Sequence, residues 1–393
     1  MAAIGEIPAV SKAHMALAKT YSSPFLMGPP MSDALVELVR HMYSEDEADI
    51  VQHMRPMRPR TAVSLARASG RTLPEVQQAL HHLAHEMFIL LAVGKGRHER
   101  FSLMPIVPGT FEAVLMRPSA DSATEWHRRF AELYEELFDT GYIADYLPAR
   151  HQPVRYIPVG EVIDTIPMAL PSDRLESILD GFDSYAIAVC QCRLAKQLVG
   201  EGCGKKLDVC TAFGDISKWL VSNGKARQAS KKDVLETKAE AESQGMVTWM
   251  FNVGNNSRLN GSCSCCGCCC GALRSITQFN MPGSIAPPHF MPRFAAETCV
   301  ACQKCEKICP VKAISVVGEG DDKKVVHVPE RCIGCGLCAV ACSKSSIAMT
   351  EVPGYKQPLA TWPRFVVSSI PEQVGIYRKV KASRASGLGI KSR

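Results

Sequence analysis

The chain has 393 residues, a net charge of +6 and 18 cysteines, with hydrophobic and charged fractions of 46% and 21%. These values fit a soluble protein with room for two or three cored domains, and the charge is too mild to point to nucleic acid. The longest apolar run, Met87 to Val93, is too short to cross a bilayer, and the first twenty residues lack a signal-peptide core. A cytoplasmic, reducing setting is expected, in which thiols stay available for metal.

Residues 1–30 read as a loosely ordered lead ending in Met27-Gly28-Pro29-Pro30. From Ser32 the pattern is helical, with Leu35, Leu38 and Val39 on one face and a capping-box pair at Ser44 and Glu47. A short helix stopped by Gly70 precedes TLPEVQQALHHLAHEMF, where Val76, Leu80, Leu83 and Met87 recur at helical spacing. FILLAV, the turn GKGR and RFSLMP then read as a hairpin. Helices followed by a two-stranded wing resemble a winged helix-turn-helix domain over residues 31–118, which implies either DNA binding or protein docking. The expected recognition helix, 73–86, carries no Arg or Lys to meet phosphates, so docking is favoured. His81, His82 and His85 on that helix read as a solvated face.

Residues 119–295 read as a mixed α/β, cysteine-rich domain. It opens with an amphipathic helix over 122–140, whose stripe is Trp126, Phe130, Leu133, Tyr134 and Leu137. VRYIPV and SYAIAVC follow as strands, and Ser230 reads as the N-cap of a Lys/Glu-paired, solvated helix. Ten cysteines fall here: Cys190, Cys192, Cys203, Cys210, Cys263, Cys265, Cys266, Cys268, Cys269 and Cys270. Neighbouring side chains of an extended chain point to opposite sides, so the last six cannot all face one small ion. Their number permits a third [4Fe–4S] centre built from Cys190, Cys192, Cys203 and Cys210 with some of Cys263 to Cys270, the grouping being open, and leaves room for a fourth. A metallothionein-like zinc or copper site at CSCCGCCC competes with this. Arg193 is expected beside a cluster, offsetting its negative charge, or on the surface.

Residues 296–352 contain C-x2-C-x2-C-x3-C twice, as Cys299, Cys302, Cys305, Cys309 and as Cys332, Cys335, Cys338, Cys342. Pro310 follows the first run, and Ser343 stands where a second proline is expected. This spacing resembles bacterial two-cluster ferredoxins. The resemblance implies two [4Fe–4S] clusters, one held by Cys299, Cys302, Cys305 and Cys342, the other by Cys332, Cys335, Cys338 and Cys309. Gly334 and Gly336 are expected where backbone N–H groups approach cluster sulfur. A pair of zinc sites is disfavoured, because zinc knuckles separate their C-x2-C pairs by a longer loop. The ordered combination of VRYIPV, CQCR, CSCCGCCCG and the ferredoxin repeat resembles a family of large cytoplasmic iron–sulfur proteins from anaerobes, which implies low-potential electron transfer.

Residues 353–393 read as a basic, proline-containing tail, either disordered or docked on an acidic partner. The expected whole is a multidomain α+β protein: winged-helix-like N-terminal domain, cysteine-rich middle domain and ferredoxin-like C-terminal domain. Its expected role is that of an electron-transfer subunit of an oxidoreductase complex, with protein redox partners, no membrane span and no nucleic acid. Two alternatives remain: a redox-sensing transcription regulator using the winged helix, and a reductase whose cysteine-dense centre binds substrate. No catalytic residue and no nucleotide or flavin fingerprint is found.

Overall fold

The computed structural model describes residues 10–146, 150–254 and 259–385; residues 1–9 of the expected lead and 386–393 of the expected tail lie outside these. Residues 10–30 do not form a loose lead. Ser11 caps a helix, Lys12–Tyr21, that buries Leu17, Ala18 and Tyr21, and Tyr21 Oη lies 2.6 Å from Tyr43 Oη. Four further helices follow, Asp33–Met42, Glu45–Val51, Ala62–Ser69 and Leu73–His81. Ser44 and Glu47 form the expected capping box, Glu47 Oε2 accepting from the Ser44 N–H at 2.9 Å. An antiparallel hairpin of β1 (Leu90–Val93) and β2 (Arg100–Leu103) completes this arrangement.

The amphipathic helix Glu125–Asp139 packs Phe130, Leu133, Tyr134 and Leu137 into the same core. Tyr134 stacks on Phe111 with ring centroids 3.8 Å apart. The N-terminal core therefore extends to Tyr146, past the boundary at 118 that the sequence suggests, because this stripe supplies one of its walls.

The middle of the chain is built on one antiparallel six-stranded sheet. Its strands are β3 (Val154–Tyr156), β4 (Tyr185–Ala188), β5 (Cys210–Gly214), β6 (Arg227–Ala229), β7 (Val247–Phe251) and β8 (Leu259–Cys265), in the order β3-β7-β8-β5-β4-β6. Register explains where the cysteines go. Ala188 at the end of β4 pairs with Cys210 at the start of β5, and Cys265 at the end of β8 pairs with Val247 at the start of β7. Cys190, Cys210, Cys263 and Cys265 thus gather at one end of the sheet. Two helices start at that end, Gln191–Leu198 with Cys190 as N-cap and Gly271–Thr277 with Cys270 as N-cap.

The last strands form two antiparallel pairs, β9 (Phe290–Phe294) with β12 (Ile347–Glu351) and β10 (Ile314–Val317) with β11 (Lys324–His327). Beyond them the expected tail is a helix, Trp362–Ala385. Rather than standing free, it returns to the N-terminal body. Val380 enters that core, and Arg384 donates to Ser22 O at 2.6 Å and Gly28 O at 2.7 Å. Its chemistry is basic, but these backbone carbonyls and the Asp145 carboxylate, 3.4 Å from Nη2, engage the arginine within this same chain.

The N-terminal body is held to the cysteine end of the sheet by a buried ion triad. Glu135, 7% exposed, accepts from Lys196 Nζ at 2.8 Å and Arg274 Nη1 at 2.7 Å. Lys196 lies on the helix begun by Cys190 and Arg274 on the helix begun by Cys270, so one carboxylate ties both to the helix Glu125–Asp139. Truncating such a group strands two buried cations. Lys196 and Arg274 keep Glu201 and Asp139 as second partners, at 2.7 and 2.9 Å, which limits the loss. Glu135→Ala is expected to cost about 3 kcal/mol in denaturant unfolding, the low end for a broken buried pair, and Glu135→Gln less.

Candidate metal centres

Within the ferredoxin-like part, the thiols converge in two cavities. One is lined by Cys299, Cys302, Cys305 and Cys342. The other is lined by Cys309, Cys332, Cys335 and Cys338 with apolar Val311, Ile314 and Leu337. Each run therefore sends three cysteines to one cavity and its last cysteine to the other. The repeat extends to the backbone: Ala313 N–H donates to Cys309 Sγ at 3.2 Å, and Ser346 N–H to Cys342 Sγ at 3.3 Å.

Burial pushes Cys332 up to about 11 and Cys338 up to about 12, so these thiols ionise at neutral pH only when a cation compensates them. Three clustered thiols and a fourth from the other half, each set around a cavity with inward N–H donors, fit a [4Fe–4S] group.

The structure adds a second reason for the two glycines, beside the backbone N–H of Gly334 that donates to the Cys332 sulfur. Ala301 and Gln303 in the first run hold the same left-handed backbone as Gly334 and Gly336 in the second, with φ of 46°, 66°, 68° and 79°. What differs is crowding. A Cβ on Gly334 would lie 2.4 Å from Phe290 O, and one on Gly336 would lie 2.8 Å from Val162 Cγ1. Close approach of the neighbouring β9 strand and the 160s segment therefore excludes a side chain. Gly334→Ala is expected to destabilise the domain by at least about 2 kcal/mol, read as an earlier thermal loss of the visible charge-transfer absorption.

Ten further thiols form two groups at the cysteine end of the sheet. Cys203, Cys266, Cys268 and Cys269 lie with all four Sγ atoms within 4.8 Å of one another. Six others pair around a deeper point: Cys210 with Cys263 at 3.5 Å and with Cys190, and Cys270 with Cys192 and Cys265. The structure thus sets Cys203 with Cys266, Cys268 and Cys269, a grouping the sequence left open, while Cys190, Cys192 and Cys210 meet Cys263, Cys265 and Cys270.

Hydrogen bonds from neighbouring thiols favour ionisation at selected positions. Donation from Cys192 and Cys265 holds Cys270 well below the usual thiol range, and donation from Cys268 and Cys269, with Arg193 behind them, does the same for Cys266. Tyr156 Oη also reaches Cys270 Sγ, at 3.8 Å.

Arg193 is not on the surface. At 1% exposure it sits between the two groups, its Nη2 donating to Ser264 O at 3.0 Å and lying 3.7 Å from Cys266 Sγ. Lys238 is equally informative. It is 2% exposed, its Nζ has no hydrogen-bond partner, and the groups that favour its charged form are the thiols of Cys263, Cys210 and Cys265 and, after them, the Glu242 carboxylate one turn on. Burial pulls this ammonium below its usual range while those groups pull it back. An ammonium buried without a hydrogen-bonded partner is costly; an anionic centre held by the six thiols would offset that cost. The donor set and its cation therefore fit an anionic iron–sulfur group.

Sequence reasoning missed Lys238, placing it on a solvated helix. The signal was available: Val234, Lys238 and Ala241 are spaced four and three apart, and the structure buries all three. Tyr156 carries no comparable signal. The three histidines bond carboxylates, His82 to Glu47 at 2.6 Å, His85 to Glu99 at 3.0 Å and His81 to Glu86 at 3.2 Å.

The two regions touch directly. A Cβ on Gly267, inside the cysteine-dense turn, would lie 2.0 Å from the carbonyl oxygen of Pro310, the residue after Cys309. Val159 N–H donates to Cys335 O at 3.0 Å, and Cys265, Cys270, Cys309, Cys332 and Cys335 share one apolar cluster.

Residues 298–346 match the model of the 4Fe-4S dicluster domain. Ferredoxin-3 of Nostoc sp. is 34% identical over 85 residues, which span 18% of this chain and 88% of that protein. By this segment the chain belongs to the ferredoxins. An uncharacterized ferredoxin of Methanocaldococcus jannaschii is 34% identical over 94 residues, covering 23% of this chain and 52% of its own. The electron transport protein HydN of Escherichia coli K12 is 37% identical over 82 residues, 18% of this chain and 44% of that one. The chain thus spans about half the length of these last two relatives. No solved structure matches the chain. Among the described residues, no helix is long and apolar enough to cross a membrane.

Proposed function

We propose that this protein is the low-potential electron-transfer subunit of a cytoplasmic oxidoreductase complex, with two [4Fe–4S] clusters in the ferredoxin domain and a third iron–sulfur centre in the six-thiol site. Clusters of this type exchange single electrons. The observation that carries the proposal is the apolar cluster in which Cys265 and Cys270 of the six-thiol site meet Cys309, Cys332 and Cys335 of one ferredoxin cavity.

The ferredoxin likeness and the name of HydN as an electron transport protein support the same role. The N-terminal helices and hairpin serve as a winged-helix-like docking module. The expected recognition helix spends His81, His82 and His85 on carboxylates, which suits protein contact better than phosphate contact. The C-terminal helix offers a second face: Val366, Ile370 and Val374 share one side at helical spacing and are 52%, 51% and 43% exposed.

The test is an EPR-monitored redox titration of the full chain prepared without oxygen. Reduced cluster signals at strongly negative potential, from more than the ferredoxin clusters alone, are expected. A chain whose signals are complete with two clusters contradicts the third centre. Lys238→Met removes the buried cation and is expected to lower the midpoint of that centre by tens of millivolts, leaving the ferredoxin signals in place.

A further inference from the structure

The ten thiols outside the ferredoxin domain exceed what one iron–sulfur centre uses, and the two groups differ in geometry. A tetrahedral ion with metal–sulfur bonds of about 2.3 Å sets its sulfurs about 3.8 Å apart. In the group of Cys203, Cys266, Cys268 and Cys269, the Cys203–Cys266 and Cys268–Cys269 sulfurs are 3.9 and 3.7 Å apart. All four lie within 4.8 Å of one another, and among the described residues no such gathering is found for the ferredoxin cysteines. A cubane carries its irons at separate corners and holds its thiolates farther apart than this. The ferredoxin sets line open hollows, whereas these four sulfurs close on a point.

Charge agrees with geometry. Four thiolates around one divalent ion leave two negative charges. Arg193, buried and without a carboxylate partner among the described residues, places its guanidinium 3.7 Å from Cys266 Sγ. Its Nε makes no hydrogen bond, and its remaining N–H groups reach the neutral Lys206 and Ser264 carbonyls and the Met246 sulfur, so the charges that act on it are those of the surrounding thiols, Cys190 and Cys210 of the deeper group as well as Cys266.

We infer that Cys203, Cys266, Cys268 and Cys269 bind a single zinc ion in a closed tetrahedral site, distinct from the iron–sulfur centre of the six deeper thiols. Four protein sulfurs leave no open position, which is the mark of a structural zinc and not of a catalytic one. The ion joins a loop to a turn. Cys203 lies in the stretch between the helix Gln191–Leu198 and β5, and the other three lie in the turn that Gly267 presses against Pro310. Zinc there fixes the surface on which the ferredoxin domain sits, and it occupies the place where thiol number alone would admit a fourth cubane. The site does not depend on the electron-transfer role, since zinc carries no electron.

The test is metal analysis and zinc K-edge X-ray absorption on the full chain purified without oxygen and without added metal. About one zinc per chain with four sulfur neighbours at about 2.3 Å is expected. Cys268 is the exposed member of the set, so Cys268→Ser leaves the interior intact; it is expected to lose zinc, or to lower its affinity at least tenfold, while iron and sulfide per chain stay unchanged. One iron lost without sulfide would overturn zinc as the occupant. Several irons lost together with sulfide, or no metal with sulfur neighbours of this kind in the unsubstituted chain, would overturn it. An iron-free chain that still binds zinc would sink the electron-transfer proposal and leave this one standing.

Discussion

Eighteen thiols cannot be packed into one protein interior unless charge is cancelled where they meet. Thiolates repel one another in a dry site, and the structure answers that repulsion with fixed cations placed where a folding chain would otherwise avoid them. Arg193 stands between the two outer groups of sulfur and Lys238 faces the deeper six. Both are almost fully buried, and neither forms an ion pair with a carboxylate among the described residues, although the Glu242 carboxylate one turn on adds to the thiols' pull on Lys238. The helices begun by Cys190 and Cys270 are anchored in turn by Glu135, so the positions of the thiols are set from outside by a carboxylate and from inside by two cations.

This explains how the fold is organised around its sheet. Antiparallel register brings β4, β5, β7 and β8 to a common edge, and cysteines occupy the strand ends there. The ferredoxin domain closes over that edge. Glycine at 267, 334 and 336 permits backbone to approach backbone or side chain at distances no Cβ tolerates. The contacts that seat the domain are therefore the same ones that bring the two sulfur-rich regions together.

Much of this was legible in the sequence, for identifiable reasons. The C-x2-C-x2-C-x3-C spacing, through its resemblance to two-cluster ferredoxins, implies how eight cysteines divide between two groups, and the two cavities divide them that way. Strands at VRYIPV and SYAIAVC, and the caps at Ser44 and Ser230, are local features and are legible locally. What was not legible depends on tertiary contact. Cys203 separates from Cys190 only because of the path of a loop, and the helix Trp362–Ala385 forms where prolines suggest none because Val380 and Arg384 find the N-terminal body. Lys238 was hidden by composition: a lysine among glutamates looks solvated until the opposite face proves to be the buried one.

The most direct measurement is Mössbauer spectroscopy of the iron-57-enriched full chain, isolated without oxygen and fully reduced. Iron beyond that of the two ferredoxin clusters, bound to sulfur and altered in the Lys238→Met protein, is what a cation-compensated six-thiol centre requires. Iron confined to the ferredoxin domain, with spectra indifferent to Lys238, would show that the buried thiols and their cations serve something other than an iron–sulfur group.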